Sequence, residues 1–541
     1  MSMECFPATI LPHVTALYRD YLAMGENSGA GLRSWFGEEP SGSTWMRGEV
    51  SAVDRIRLAD ALERQSVGFG ASAAALANIE RLRAGARAVV TGQQVGLLGG
   101  PLLTLLKAAT AVSRARQATA ATGVEHVPVF WLATEDHDLP EVDTVSLLEA
   151  SRQGTNVETL KAGLKAAGAV PVGGVVLGEE MDGLLAQVST LLGYAPVCEE
   201  LRECYAAGQT LGGAFARWMA KVFAGQGLVV MDASMREFHA LGAAALRFAI
   251  EHAEELEGAL LERSEALVRA GYHAQVLVTR GASLLFLVDA PTGDRQALKR
   301  VGEGGWRAGG RGYSKEDLLG ILESEPERLS PNALLRPVFQ DTILPTAAYV
   351  GGPAEIAYFA QSEVLYRRIL GWLTPVLPRV SATLLTPAVA AVMAKHEVTV
   401  EDVIAAKTME ALALRLGARA MPIALKRKLA GVGNAMEAEL SALTEYMAGM
   451  DGSLGRSAEV SGSKMRYQMN RLRRMAATFE LQKETSLRKH AEAIYANVFP
   501  GGHPQERVLA GVQFLAGSEG LVERLVEVAE NACPGHLVVQ V

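Results

Sequence analysis

The spacing of hydrophobic and polar residues changes after the first helical part of the chain. Helical periodicity predicts helices over residues 51–64 and 71–83. Continuous apolar runs then predict buried strands at 86–90 and 127–132, on either side of a helix over 101–122 that ends at a glycine. A strand, a glycine-rich turn, a helix and a second apolar strand form a βαβ unit. The pattern therefore indicates an α/β protein with a parallel sheet covered on both faces.

The middle of the chain repeats this logic and then becomes irregular. A helix over 208–224 precedes an apolar run at 227–232 that ends in an aspartate, which predicts another strand. Two short apolar runs, 276–278 and 284–288, predict a hairpin around Gly281. Glycine-rich residues 302–312 predict a mobile loop.

Beyond residue 385 the pattern predicts long helices. Residues 423–450 and 455–497 have helical spacing near 3.5 residues, typical of a two-helix antiparallel coiled coil. We expect one apolar stripe of the second helix to form its core: Met465, Met469, Leu472, Met475 and Phe479. The predicted domains are a core over 1–385 with inserted segments at about 151–205 and 290–330, a coiled-coil domain over 386–500, and a segment over 501–541 that returns to the core.

Composition excludes several protein classes. The 541 residues are 49% hydrophobic, which excludes general disorder, and a net charge of −8 argues against binding to nucleic acid through phosphate contacts. The four cysteines, Cys5, Cys198, Cys204 and Cys533, form no close pairs, so we expect neither a disulfide framework nor a zinc site. With no signal-peptide pattern and no apolar run of membrane length, we expect a cytoplasmic protein without a membrane partner.

The first candidate site follows the first predicted strand. The segment TGQQVGLLGGPL begins at Thr91, and its glycines allow a ligand to approach the backbone before a helix N-terminus. Amide side chains suit a sugar or base, and a lysine further along the helix suits a phosphate. The alternative is a strand-to-helix turn that uses glycine only for its geometry. The candidate residues are Thr91, Gly92, Gln93, Gln94, Gly100 and Lys107.

The second candidate site ends the next strand. Glu135, Asp136, His137 and Asp138 place three carboxylates and an imidazole together, as general acid–base chemistry or Mg²⁺ binding requires. Alternatively, Asp136 or Asp138 caps the following helix. The absence of a second histidine or cysteine at ligand spacing argues against a transition-metal site.

The third candidate site repeats the order of strand, glycines, proline and helix. Arg336 suits bidentate binding of a carboxylate or phosphate, although a solvated salt bridge is the alternative. Aromatic residues such as Tyr358 suit packing as well as ligand stacking. The candidates are Arg336, Gln340, Asp341, Gly351, Gly352, Glu355 and Tyr358.

Taken together, these segments resemble the BshC family of bacillithiol biosynthesis. The motifs that carry the resemblance are Thr91 to Gln94, Gly100 to Leu102 with Lys107, Glu135 to Asp138, Gly271 to Val276, Leu335 to Pro337 with Gln340 and Asp341, Gly351 to Pro353 with Glu355 to Tyr358, Pro378 with Arg379, and Gln505 to Arg507. The resemblance implies a Rossmann-like nucleotidyltransferase core with connecting-peptide insertions, a coiled coil and a homodimer. It also implies a ligase that adds cysteine to the amine of glucosaminyl malate.

This resemblance assigns expected roles. Amide formation from a free carboxylate needs activation, so ATP is the expected cosubstrate, with Mg²⁺ as an accompanying ion. Residues 91–107 would bind phosphates, Glu135 to Asp138 would bind Mg²⁺ or deprotonate the amine, and Arg336 or Arg379 would bind malyl carboxylates. The chain departs from the family at Leu98, Leu103, Leu106 and Leu139-Pro140, which affects pocket shape.

Two other functions compete with this ligase. A non-catalytic nucleotide-binding scaffold, acting through its coiled coil, would bind ligands without turnover. An NAD-linked oxidoreductase is disfavoured because its GxGxxG fingerprint is absent, as are the P-loop and HxGH motifs.

Overall fold

The computed structural model describes residues 3–24, 30–151, 154–166, 168–302 and 304–541. Its strands are β1 (Met3–Phe6), β2 (Arg87–Gln94), β3 (His126–Ala133), β4 (Thr144–Ala150), β5 (Thr155–Lys161), β6 (Val229–Asp232), β7 (Ala282–Val288), β8 (Arg295–Val301), β9 (Gly305–Ala308), β10 (Arg311–Tyr313), β11 (Leu329–Pro331), β12 (Thr346–Gly351), β13 (Val376–Pro378), β14 (Ser381–Leu385) and β15 (His536–Gln540).

Helices surround these strands. Up to residue 270 they are α1 (Ala16–Leu22), α2 (Ala30–Phe36), α3 (Arg55–Gly68), α4 (Ala73–Arg83), α5 (Leu103–Thr122), α6 (Leu139–Val142), α7 (Glu180–Leu191), α8 (Val197–Cys204), α9 (Leu211–Val222), α10 (Arg236–Leu241), α11 (Ala243–Glu251) and α12 (Ala253–Arg269). The later helices are α13 (Lys315–Ser324), α14 (Arg336–Ile343), α15 (Pro353–Ile369), α16 (Pro387–Lys395), α17 (Val400–Ala406), α18 (Met409–Ala420), α19 (Ile423–Met450), α20 (Gly452–Lys483), α21 (Thr485–Val498), α22 (Gln505–Val508), α23 (Gly511–Gly517) and α24 (Leu521–Glu530).

A parallel five-stranded sheet forms the centre of the N-terminal part. Its strand order is β13-β12-β2-β3-β6. Ala88, Val89 and Val90 in β2 are fully buried, because helices cover both faces of the sheet. Helix α5 leaves β2 and ends at Gly123, whose φ of 71° is the left-handed conformation of a glycine C-cap. The predicted α/β Rossmann-like class is confirmed.

A second five-stranded sheet corrects two sequence predictions. Its order is β10-β9-β8-β7-β11, with antiparallel pairing. The predicted partner at 276–278 is wrong, because β7 pairs with β8 instead. The predicted loop at 302–312 is also wrong for its described residues, which contain β9 and β10. Trp306 and Ala308 alternate inward and are buried, a pattern that the surrounding glycines obscured.

The two ends of the chain meet in a small third sheet. Strand β1 is antiparallel to β15, which is parallel to β14. A disulfide joins Cys5 to Cys533, and Cys198 and Cys204 are free and buried. The expectation of no disulfide is wrong for this pair, since the two cysteines are 528 residues apart and only the fold brings them together.

The two long helices α19 and α20 form the predicted helical pair. The bounds of α19 match the prediction, whereas α20 ends at Lys483 and α21 continues after Glu484. The predicted apolar stripe is only partly internal. Met469 is buried, but Met465, Leu472, Met475 and Phe479 are between 48% and 61% exposed. Among the described helices, none combines the length and apolar character that a bilayer crossing needs.

Candidate functional site

The candidate residues lie on three neighbouring strands that end at one edge of the central sheet. Gln93 and Gln94 are the last residues of β2, which lies between β12 and β3. Gly351 ends β12, and Glu135 to Asp138 follow β3. In open parallel sheets, ligands bind in the crevice outside the carboxyl ends of the strands. The geometry thus brings parts of all three candidate segments to the edge where a ligand is expected.

An ion pair joins the helices that follow β2 and β12. Lys107 Nζ in α5 lies 2.6 Å from Glu355 Oε2 in α15 and 3.3 Å from Gln93 Oε1. Tyr349 donates its hydroxyl to the other carboxylate oxygen of Glu355, and the Gly352 N–H donates to Oε2. Burial acts to raise the pKa of Glu355, but the Lys107 ammonium and these donors outweigh it and lower the pKa. Glu355 is therefore held ionised.

A second ion pair connects this edge with the C-terminal segment. Arg379 Nη2 lies 2.6 Å from Glu506 Oε1, and both side chains are almost completely buried. Glu506 also accepts from the Ser381 hydroxyl and the Ala382 N–H. Burial opposes charge on both partners, but their mutual attraction raises the pKa of Arg379 and lowers that of Glu506. Arg379 is thus fixed beside Gly352 at the end of β12.

A histidine shares the Ser381 hydroxyl with the Glu506 carboxylate of this second ion pair. The His536 ring lies between two hydroxyls, 2.8 Å from Ser381 Oγ at Nδ1 and 2.9 Å from Thr383 Oγ1 at Nε2. Burial lowers the pKa of His536, which keeps the ring uncharged.

The glycine-rich loop after β2 is packed by protein groups. The Gly99 N–H donates to the Tyr205 hydroxyl, and the Leu102 N–H donates to the Leu509 carbonyl. A Cβ at Gly99, whose φ is 85°, would lie 2.4 Å from Trp218 Nε1. Gly100 has a φ of 73°, and its N–H donates to Leu97. These glycines are therefore required for close packing, which is the alternative noted from the sequence. Several N–H groups of the segment 91–107, which was expected to bind phosphates, already donate to protein groups.

Thr91 and Gly92, also in the first motif, contact the strands on either side of β2. Thr91 is fully buried and donates its hydroxyl to the Val350 carbonyl of β12. A Cβ at Gly92 would lie 2.7 Å from the Trp131 carbonyl oxygen of β3. Both residues therefore hold β2 against its neighbours.

The acidic segment after β3 divides between two environments. Glu135 Oε1 lies 3.0 Å from Nε2 of the fully buried His239. Burial acts to lower the pKa of His239, but the Glu135 carboxylate outweighs burial and raises the pKa. Asp136 accepts from the Gln94 side chain at 3.1 Å and from the His137 N–H. Asp138 stands at the N-cap of α6 without a side-chain capping bond. Asp136 and His137 are about half exposed, so solvent and ligands can reach them.

The third motif is mostly internal. Arg336 donates to the Tyr358 hydroxyl at 2.8 Å and to Gln340 Oε1 at 3.1 Å. Gln340 and Asp341 are enclosed in the core, where Asp341 accepts from Gln340 and from the Tyr366 hydroxyl. Burial raises the pKa of Asp341. The structure thus places Gln340 and Asp341 where they support α14 and α15, away from the crevice surface.

Two cavities lie along the crevice. The Tyr18 cavity, of about 330 Å³, is lined by residues after β12 and β13 and by both chain ends, including Tyr18, Pro353, Arg379, Ser381 and Arg507. The Gln93 cavity, of about 400 Å³, is lined by the end of β2, the loop after it, the start of β4 and the C-terminal segment. Its lining includes Gln93, Gln94, Gly100, Glu141, Ser146 and Arg507. Burial and the nearby Asp138 and Asp136 raise the pKa of Glu141.

Several lining residues were not among the sequence candidates. Tyr18 and Ser381 carry no motif, and only folding brings the N-terminal helix α1 and strand β14 to this edge. Glu506 and Arg507 belong to the quoted Gln505 to Arg507 motif, which was the one signal available for them. In the described part of the chain, no group of three or more His, Cys, Asp or Glu residues is arranged to hold a metal ion.

Comparison with known proteins gives matches over the whole chain. A family model described as "Bacillithiol biosynthesis BshC, N-terminal Rossmann-like domain" matches residues 1–380, and its "C-terminal coiled-coil domain" counterpart matches 382–541. A Koribacter versatilis protein named "Putative cysteine ligase BshC" is 40% identical over 542 residues, covering 100% of both chains.

Two further relatives carry the same name. The Solibacter usitatus protein is 36% identical over 84% of this chain and 85% of its own length. The Salinibacter ruber protein is 32% identical over 90% of this chain and 89% of its own length.

Proposed function

The chain belongs to the BshC family, and from that premise we propose that it is a ligase joining the carboxyl group of cysteine to the amine of glucosaminyl malate. The product would be bacillithiol. The observation that carries this proposal is the edge of the central sheet, where two buried ion pairs, Lys107–Glu355 and Arg379–Glu506, lie beside two cavities. Two adjacent cavities suit a reaction that joins two small molecules.

We propose ATP as the cosubstrate because a free carboxylate does not form an amide in water without activation. The amine nitrogen would attack the activated carbonyl carbon and lose a proton, and one carboxylate oxygen would leave bound to phosphorus. Arg336, whose guanidinium donates to the neutral Tyr358 and Gln340 side chains, supplies positive charge that suits an anionic group, whereas the charge of Arg379 is compensated by Glu506. Mg²⁺ would arrive with the nucleotide phosphates, because it needs only one or two protein carboxylates in such complexes, and Asp136 is an accessible one.

We also propose a homodimer formed through the coiled coil. Met465, Leu472 and Phe479 are spaced seven residues apart in α20 and are exposed, as is Met475 between them. Seven-residue spacing of apolar side chains is the pattern of a coiled-coil seam. In the proposed dimer, these exposed side chains pack against a second copy of the chain.

We place the activity in the cytoplasm, where ATP is available. In that compartment thiols are kept reduced, so the Cys5–Cys533 disulfide would be subject to reduction there.

The proposed activity has a direct test. The purified chain is incubated with cysteine, glucosaminyl malate and Mg-ATP, and bacillithiol is sought by mass spectrometry. We expect product with the wild type, and we expect Asp136→Asn and His137→Ala to lose turnover with little change in Tm, because both side chains are half exposed. Asp182→Asn, an exposed position in the first turn of α7, is the matched control.

The outcomes separate the ligase from the scaffold. Binding of all substrates without product would favour a nucleotide-binding scaffold acting through its coiled coil. An equal loss of stability and activity in Asp136→Asn would instead make the acidic segment structural.

A further inference from the structure

Arg507 forms part of the wall of both cavities at the sheet edge. It lies in the short helix α22, whose neighbouring residues are fixed to β14. Gln505 exchanges hydrogen bonds with the backbone of Leu384, and Glu506 accepts from the Ala382 N–H. Arg507 is itself exposed. Because it lines both cavities, it stands at the boundary between them.

Two buried cations of this sheet edge each have a carboxylate partner. Lys107 is paired with Glu355, and Arg379 with Glu506. Across the described residues, the Arg507 guanidinium has neither an ion pair nor a side-chain hydrogen bond, in contrast to these two cations. Partial burial and the nearby Arg379 lower its pKa, so an anion bound there would relieve an electrostatic cost.

The two cavities differ in chemistry. Leu11, Val14 and Pro353 give the Tyr18 cavity an apolar side, which suits a short sulfur-containing side chain. The Gln93 cavity has the amides of Gln93 and Gln94, which suit the hydroxyl groups of a sugar.

We propose that Arg507 binds the carboxylate of the amino-acid substrate in the Tyr18 cavity, next to a sugar-bearing substrate in the Gln93 cavity. This inference rests on the proposed function and names the subsites of its two substrates. A planar guanidinium matches a carboxylate in bidentate geometry, so the amino acid is oriented with its carboxyl group at the boundary where the two substrates meet.

Calorimetry on the full chain tests this subsite. The probe is S-methyl-L-cysteine, which keeps the carboxylate, amine and sulfur but cannot exchange with the Cys5–Cys533 disulfide. The second probe is its methyl ester, which lacks the carboxylate charge. The variants are Arg507→Met and Arg507→Lys, and the control is Arg427→Met, an exposed arginine of α19.

We expect Arg507→Met to weaken binding of the acid about tenfold or more, because a hydrogen bond to a charged group is lost. Arg507→Lys should show a smaller loss, since it keeps the charge without the planar fork. Arg427→Met should bind like the wild type. The ester should bind weakly to every variant. Equal affinity of Arg507→Met and wild type for the acid, or equal affinity of the wild type for acid and ester, would overturn the inference.

The product assay separates this inference from the proposed function. If Arg507→Met loses acid binding but the wild type forms no bacillithiol, the ligase proposal fails and the subsite remains. If bacillithiol forms and Arg507→Met binds the acid normally, the subsite alone is wrong.

Discussion

Lys107 Nζ and Glu355 Oε2 lie 2.6 Å apart although 248 residues separate them in the chain. Lys107 is 2% exposed and Glu355 is 20% exposed, so each charge depends on the other for compensation. The contact joins the helix after β2 to the helix after β12 and thereby sets the spacing of the two strand ends that form the crevice.

Removing one member of this pair should destabilise the protein. We expect Lys107→Met to lower the free energy of unfolding by about 3 kcal/mol, because it leaves the Glu355 carboxylate without its cation. The double variant Lys107→Met/Glu355→Leu should lose less than the sum of the single variants in denaturant unfolding. Additive losses would mean that the two side chains act independently.

The His239–Glu135 contact should make stability depend on pH. Burial acts to lower the pKa of His239, but the Glu135 carboxylate raises it above its usual value of about 6.5. The stabilisation is therefore complete below about pH 6.5 and is lost as the pH rises through the folded-state pKa. We expect the Tm difference between wild type and Glu135→Gln to shrink as the pH rises from 6 to 9, because His239 then loses the positive charge that Glu135 stabilises.

The control for this pH profile is Glu149→Gln, an exposed glutamate in β4. Its Tm difference from the wild type should be flat over the same range. A flat profile for Glu135→Gln as well would show that His239 does not titrate against Glu135.

Substitutions at the adjacent Gly351 and Gly352 should affect stability and activity differently. A Cβ at Gly351 would lie 3.2 Å from both Glu355 Cβ and Val376 Cγ2, inside the packed sheet edge. A Cβ at Gly352 would lie 3.3 Å from Arg379 Nε, at the crevice. We expect Gly351→Ala to lower Tm, and Gly352→Ala to lower turnover with a smaller change in Tm. The reverse order of effects, measured by thermal melting and product formation, would refute this assignment.

The exposed stripe of α20 should control the oligomeric state. We expect Met475→Glu/Phe479→Glu to convert a dimer into a monomer in light scattering, because charged groups cannot be buried in an apolar seam. The control is Val432→Glu, at an exposed apolar position of α19. A wild type that is monomeric at micromolar concentration would contradict the proposed dimer.

The disulfide can be counted chemically. Alkylation of the unfolded, unreduced chain should modify two cysteines, Cys198 and Cys204, and prior reduction should raise the number to four. Reduction should also lower the Tm of the wild type but leave that of Cys533→Ser unchanged, since a cross-link restricts the unfolded chain. Four modified cysteines without reduction would show that the bond does not form.

The sequence predicts those features that depend on local pattern. The parallel strands β2, β3 and β6 were readable from continuous apolar runs, and helix α19 from its periodicity. The pairing of β7 with β8 was not, because glycine and charged residues around β8 and β9 obscure the alternation.

Much of the candidate site depends on distant contacts and was therefore harder to predict. The motifs containing Gln93 and Glu355 lead to the sheet edge that carries the two cavities, since Gln93 lies at the end of β2 and Glu355 lies in the first turn of α15, after β12. Tyr18 reaches that edge from the first helix and Arg507 from the C-terminal segment. Tyr18 carries no motif, so only the fold identifies it, whereas the Gln505 to Arg507 motif is the one sequence signal for Arg507.

The bond between Cys5 and Cys533 gives the backbone the connectivity of a nearly closed circle. A single proteolytic cut in a surface loop between these cysteines would open the circle without releasing a fragment. Two separate cuts, or one cut followed by a reductant, would be needed before a piece could diffuse away. Strands β1 and β15 also lie side by side, so a short peptide could join them while new ends are introduced elsewhere.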